Sequence, residues 1–214
     1  MAYQDDIKKA AALLLPWNKL SGCNILVTGA TGLIGGCLVD VLMAHKGRNY
    51  NVYASGRNEE RAGRRFLKYA DDNSFHFVKY DVAHPLEYDV NFQYIIHAAS
   101  GAYPEEFIKH PVEVIKGNIN GVDNLMGYGI QHGIKRLLYI SSGEVYGEGD
   151  GRVFTENYSG YVDCTSLRSC YPSSKRAAET LCISYGAEYG IDVVIARPCH
   201  VYGPGFTESD NRVY

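Results

Sequence analysis

Tyr171 and Lys175, in the run Tyr171-Pro172-Ser173-Ser174-Lys175, set a phenol and an ammonium one helical turn apart, pointing the same way from a helix. A phenol with an unperturbed pKa of about 10 is a poor base at neutral pH, and an adjacent cation stabilises its phenolate. A second run, Ser141-Ser142-Gly143-Glu144-Val145-Tyr146-Gly147, places hydroxyls and a carboxylate directly after an apolar stretch. Groups of these types, gathered at one site, move protons to and from a reacting hydroxyl. Each has a plainer reading alone: Ser142 as a cap on local backbone, Tyr171 and Lys175 as an exposed helical pair, Glu144 as a solvated loop carboxylate. Their joint placement favours chemistry.

A third segment supplies a ligand for that chemistry. From Asn24 to Gly36 an apolar strand passes into a helix through Gly29, Gly32 and Gly35, spaced three apart. Gly29 allows a sharp turn, Gly32 lets phosphate oxygens approach backbone N–H groups at the helix start, and Gly35 lets helix and strand pack closely. The pattern reads as a seat for a dinucleotide pyrophosphate, the alternative being a tight turn in another α/β protein. The second strand ends Ala54-Ser55-Gly56-Arg57-Asn58, without the acidic residue that would bind a ribose 2′-hydroxyl. Arg57 could instead pair with a 2′-phosphate. NAD and NADP both remain open, and Arg57 has a further reading as a surface charge.

These groups need a scaffold, and periodicity provides one. Helices are expected at Tyr3 to Leu15, Leu33 to His45, Glu59 to Tyr69, Val112 to His132 and Tyr171 to Tyr189. Strands are expected at Ile25 to Val27, Asn51 to Ala54, Phe75 to Tyr80, Tyr94 to Ala98, Arg136 to Ile140 and Val193 to Ala196. Ile7, Ala11 and Leu14 should share one face of the first helix, and Ile34, Leu38, Val41 and Leu42 should face the sheet from the second. Alternating strands and helices, with strand runs apolar on both faces, specify a parallel doubly wound α/β sheet. Gly147 to Ser169 is the one long irregular segment, a length that is often functional.

With 214 residues the chain can bury a full core, and its formal net charge of -3 favours neither nucleic acid nor a membrane surface as partner. No apolar run approaches the ~20 residues of a membrane span. Met1 to Leu20 reads as an amphipathic extension rather than a secretory signal, so a cytoplasmic protein is expected. Six cysteines without a C-x-x-C pair and seven histidines without a His-x-x-x-His spacing give no metal site. His97 reads as a packed strand-end residue rather than a catalyst, and Cys170 and Cys199 as thiols without a role.

Taken together, Thr28 to Gly35, Asp81-Val82, His97-Ala98-Ala99-Ser100, Asn118, Ser141 to Gly147, Tyr171 to Lys175 and Arg197 to Pro204 make the chain resemble the extended short-chain dehydrogenases/reductases. The resemblance is to their nucleotide-sugar epimerase, dehydratase and decarboxylase group and covers nearly the whole chain. It implies a Rossmann-type fold, with Gly29, Thr31, Gly32, Leu33, Ile34, Gly35, Arg57, Asp81, Val82, Ala98, Ala99, Ser100, Asn118, Tyr171, Lys175 and Pro198 around NAD or NADP. It further implies Tyr171 as acid/base, Lys175 on the ribose and beside the phenol, Ser142 on the reacting sugar hydroxyl, and Glu144 in the catalytic set. His200, where relatives commonly have asparagine, becomes a substrate contact. The implied reaction passes through a transient keto sugar made from a nucleoside-diphosphate sugar. Glu144 resembles the glutamate of dehydratases and decarboxylases, while Gly143 lacks the aspartic acid that sugar 4,6-dehydratases place there.

The implied organisation is a helical extension over residues 1–20, a cofactor-binding domain over 21–200, and at 201–214 the start of a substrate lobe that is otherwise largely absent. A homodimer is expected, because Val114, Ile115, Ile119, Val122, Leu125 and Met126 cover more than one narrow helix face. Two other functions stay open: a catalytically weak NAD(P)-binding module and an NADP-dependent ketone reductase.

Overall fold

The computed structural model describes residues 2–203. Strands β1 (Asn24–Thr28), β2 (Asn51–Gly56), β3 (Phe75–Lys79), β4 (Tyr94–His97), β5 (Arg136–Ile140) and β6 (Asp192–Ala196) form one sheet in the order β3-β2-β1-β4-β5-β6. Every pairing is parallel. The α-helices among the described residues are α1 (Ala2–Ala11), α2 (Leu33–Ala44), α3 (Glu59–Phe66), α4 (Pro104–Lys109), α5 (Pro111–Gln131) and α6 (Cys170–Tyr189). The doubly wound sheet is therefore the one expected, and α4 is an addition that its short, polar sequence did not signal.

Strand alternation builds two cores. Leu26, Ile95, Leu137 and Tyr139 pack with Val122, Leu125 and Met126 of α5 and with Ala178 and Cys182 of α6. Ile25, Val27 and Ala54 face the other way, toward Val39, Leu42 and Met43 of α2 and Ala62 and Phe66 of α3. Successive strand residues point to opposite faces, so a sheet covered on both sides needs apolar residues at nearly every central position. Register places Val27 beside Ile96, Thr28 beside His97, and Ile140 beside Ala196, so the strands end along one carboxyl edge.

Two helical expectations need correction. The first helix stops at Ala11 rather than Leu15, and Leu13, Leu14 and Leu15 lie exposed instead of extending the buried Ile7–Ala11 face. Pro16 disfavours helical backbone in the residue before it. On α2 the fully buried residues are Gly35, Gly36, Val39, Asp40, Leu42 and Met43, not the Ile34, Leu38, Val41 stripe. This helix is apolar almost all round, and Gly35 decides which side meets the sheet. Asp40 is fully buried because Arg65, Lys68 and the Tyr3 and Tyr69 hydroxyls surround its carboxylate, with contacts of 2.5 to 2.9 Å, and Tyr3 thereby docks α1. Of the segment 201–214 assigned to a second lobe, 204–214 lie outside the described residues, as does Pro204 of the motif at 197–204.

The long segment after β5 is held in place despite having no strand. Arg176 donates to the Val145 and Gly160 carbonyls at 2.7 and 2.9 Å, and Arg197 donates to the Glu156 carbonyl at 2.9 Å. Arg197 is itself fixed by two bonds to Glu179 of α6. The backbone also closes on itself, Glu148 N–H to the Tyr161 carbonyl and Gly160 N–H to the Tyr146 carbonyl. The segment thus returns to α6 in a defined position.

Candidate active site

Tyr171 lies in the first turn of α6, buried, with its ring stacked on Phe107 of α4 at 4.7 Å between centroids. Its hydroxyl lies near those of Ser142, which follows β5, and Ser100, which follows β4, and both favour its phenolate. The phenol therefore points into the crevice at the carboxyl edge of the sheet, where doubly wound folds bind ligands. Ser142 Oγ accepts the Glu144 N–H at 3.2 Å, capping the 3-10 turn Gly143–Tyr146.

Behind the phenol runs a buried network. Ser100 Oγ donates to Asn118 Oδ1 at 2.8 Å, Asn118 Nδ2 donates to Ser174 Oγ at 2.9 Å, and Ser174 Oγ donates to the Cys170 carbonyl at 2.5 Å. The Asn118 amide thus braces Ser100 against α6. Ser174 was missed as a site residue because its partner is distant in sequence; its spacing from Tyr171 was the available signal.

Lys175 is buried, donating to the Ile140 carbonyl at 2.9 Å, with its ammonium 4.7 Å from the Tyr139 ring and 5.8 Å from that of Tyr171. Burial pulls its pKa down to about 7. Over all its neighbours together, the phenol pKa is raised rather than lowered. Burial drives Tyr171 above its ordinary value and Glu144 adds to that, against the neighbouring Ser142 and Ser100 hydroxyls and the charge of Arg168. A desolvated ammonium that is itself close to neutral offers little charge to a phenolate. His97 is buried and held neutral, its pKa reduced to about 3 by burial and by Lys175, with Nδ1 2.8 Å from Thr28 Oγ1. It packs at the strand end, as its sequence position suggests.

The glycine loop forms a cradle that side chains would fill. Gly29 has φ +64°, and a Cβ there would stand 2.6 Å from the Ala98 carbonyl oxygen. A Cβ on Gly35 would drive into the Gly29 carbonyl. Gly32, exposed, precedes the first turn of α2, whose leading N–H groups at Leu33 and Ile34 have no intrahelical acceptors. Backbone donors at a helix start beside an open glycine fit a pyrophosphate. Thr31 lies against Gly56 at the end of β2. Arg57 reaches to 4.0 Å from Asp81, which follows β3, and the Val82 carbonyl accepts from Asn124 at 2.9 Å. Ala98 and Ala99 donate to the Thr28 carbonyl and Oγ1, lining the far side of the cradle.

Beyond β6, the Pro198 carbonyl accepts the Gly143 N–H at 2.9 Å, and His200 is exposed. Cys199 packs so tightly on Gly143 that a Cβ there would meet its Sγ at 2.5 Å. Glu144 points toward Arg168, which sequence reasoning did not single out although it stands one helical turn before Tyr171. Arg168 donates to Glu144 Oε1 at 2.6 Å. The structure thus gathers Ser142, Glu144, Tyr171 and Lys175 at one corner and the glycine loop, Arg57, Asp81 and Ala98–Ser100 along the adjoining edge.

The model of the NAD dependent epimerase/dehydratase family matches residues 25–214. UDP-glucuronic acid decarboxylase 6 of Arabidopsis thaliana is 37% identical over 196 residues, which are 90% of this chain and 55% of that protein. A UDP-glucuronic acid 4-epimerase from Bacillus cereus, solved with UDP-glucuronic acid and NAD, matches with TM-score 0.70 and 26% identity over 85% of this chain and 58% of its own. A double mutant of a dTDP-glucose 4,6-dehydratase from Streptomyces venezuelae, solved with NAD, matches with TM-score 0.71 and 25% identity over 84% and 56%. The chain spans about half the length of the curated relatives it matches, 55% in the first case.

Proposed function

The chain belongs to the NAD dependent epimerase/dehydratase family, and from that premise we propose that it binds NAD and modifies a nucleoside-diphosphate sugar through a transient keto sugar, in the manner of a uronate decarboxylase. The observation that carries the reading is the Tyr171 hydroxyl facing Ser142 and Ser100 in the crevice beside the glycine cradle. A binding module would need the cradle but no buried phenol, and the buried Lys175 behind it adds nothing to a passive site. The relatives' names favour a uronic sugar, and the packing of Cys199 on Gly143 leaves no room for an acidic side chain at 143 to protonate a leaving hydroxyl.

In this reading Gly29, Gly32 and Gly35 seat the pyrophosphate on the N-terminus of α2, with Thr31, Leu33 and Ile34 around it. Arg57, Asp81 and Val82 flank the adenosine, and Ala98, Ala99, Ser100, Asn118 and Pro198 enclose the remainder. NAD supplies the hydride acceptor, a ring charge that favours the phenolate, and the hydride that is later returned. Ser142 fixes the sugar hydroxyl by a hydrogen bond, and Tyr171 removes its proton as the carbon is oxidised. Lys175 holds ribose hydroxyls, and His200 meets the sugar from the loop after β6. A carbonyl next to the carboxylate-bearing carbon accepts the electron pair when CO2 departs, a proton from water then fills the carbon that lost CO2, and the Tyr171 phenol returns its own proton to the oxygen at the final reduction.

The same reading divides the chain into residues 1–20, 21–200 and 201–214 as extension, cofactor domain and start of a substrate lobe. It also includes a homodimer formed through α5 and α6. A cytoplasmic setting fits six cysteines that are all free thiols. No helix among the described residues is long and apolar enough to cross a membrane.

The test is to incubate the chain with NAD and UDP-glucuronic acid and follow CO2 release and the sugar product by NMR. Tyr171→Phe should cut turnover roughly 10²–10⁴-fold with NAD affinity intact. Stoichiometric NADPH consumption with a simple ketone, and no nucleotide-sugar product, would instead identify a reductase.

A further inference from the structure

We infer that Arg168 selects for an anionic sugar, its guanidinium being shared between Glu144 and the carboxylate of a nucleoside-diphosphate hexuronate. This rests on the nucleotide-sugar reading above and adds the group that discriminates one sugar from another.

Arg168 lies in the 3-10 turn Leu167–Ser169, which runs directly into α6 and so into Tyr171. Glu144 lies in the turn capped by Ser142. The two charges thus sit on the segments that deliver the Ser142 and Tyr171 hydroxyls, and they meet at 2.6 Å. A second contact fixes the direction of the cation: its guanidinium carbon is 4.7 Å from the Phe107 ring centroid, and Phe107 stacks on Tyr171. Both charges act on the Tyr171 phenol, in opposite directions, so both lie within electrostatic reach of the hydroxyl-binding corner.

Neither charge is sealed off. The Arg168 side chain is 51% exposed and that of Glu144 39%. Among the described residues the guanidinium makes this single hydrogen bond, leaving most of its N–H donors for solvent or ligand. A planar guanidinium can serve one carboxylate on one edge and another on the next. Glu144 unpaired would repel a carboxylate-bearing sugar and ignore a neutral hexose. Paired with Arg168 it no longer repels, and the free edge of the cation attracts. The pair is therefore a charge filter acting on the sugar rather than on the nucleotide.

The test is calorimetric titration of the NAD-saturated chain with UDP, UDP-glucose and UDP-glucuronic acid. Wild type should prefer the uronate to glucose. Arg168→Met should weaken the uronate about tenfold, the worth of one charge-assisted hydrogen bond at a half-exposed site, with UDP and UDP-glucose unchanged. Glu144→Gln should shift the preference the other way by removing the competing carboxylate, and the double variant should recover part of the loss. Glu144→Gln also decides the matter if Arg168→Met fails to fold. Equal wild-type affinity for the two sugars, or an equal loss of both in Arg168→Met, overturns the role of Arg168 and leaves the nucleotide-sugar reading standing. Absence of binding to UDP and both sugars overturns that reading and this inference with it.

Discussion

Lys175 shows how a side chain readable from spacing acquires properties that spacing does not contain. Its position after Tyr171 was evident, but not its enclosure by the Ile140 carbonyl and the Tyr139 ring, which come from a strand far away in sequence. Enclosure lowers its pKa from 10.5 to about 7. Between those values the unfolded chain binds the proton and the folded chain does not, so stability rises with pH across the window. Below about 7 both states are charged, and the full cost of burying the ammonium is present. Lys175→Met should therefore stabilise the fold at pH 6, by about 1–4 kcal/mol as for other buried charges replaced by apolar groups. The gain should shrink toward pH 10. Denaturant unfolding at the two pH values checks this, and a gain that is absent or the same at both refutes the account. Ser142, Glu144, Tyr171 and Lys175 were legible because each falls in a short run with recognisable spacing. Arg168, Ser174 and Phe107 were not, since each earns its place through a partner tens of residues away.

Glycines decide the fit of α2 to the sheet, and they differ sharply in what they tolerate. A Cβ on Gly35 would drive into the Gly29 backbone, whereas a Cβ on Gly63, in the exposed middle of α3, meets nothing within 4 Å. Gly35→Ala should destabilise the protein by about 1–3 kcal/mol, as overpacking does, and weaken NAD binding by shifting the loop. Gly63→Ala should stabilise it by about 0.5–1 kcal/mol through reduced unfolded-state freedom. Thermal melts of both variants check this, and a neutral Gly35→Ala would remove the close-packing argument for the cradle. The glycine spacing was readable from sequence, but the buried face of α2 was not. An almost wholly apolar helix has no polar side to point at water, and its one acid, Asp40, is buried against residues of α1, of α3 and of the turn that follows α3.

At the scale of the molecule, α5 and α6 pack on the sheet and on each other and still show Val112, Ile115 and Ile183 to solvent, at 54%, 39% and 58% exposure. These residues support the proposed homodimer, since Val114, Val122, Leu125 and Met126 on the same α5 helix are already buried in the subunit. The double substitution Ile115→Glu and Ile183→Glu should shift sedimentation from dimer to monomer without loss of subunit secondary structure. A wild type that sediments as a monomer at micromolar concentration would exclude that assembly.

The order of the strands and of every helix but α4, the doubly apolar sheet and the dinucleotide loop were determined by the sequence alone, because each is written in local periodicity or in glycines spaced three apart. Tertiary structure alone decided which face of α2 is buried, what surrounds Lys175, and the meeting of Arg168 with Glu144 across the loop that Arg176 and Arg197 hold down. Desolvation and charge pairing depend on distances between groups remote along the chain, and no local pattern contains those distances.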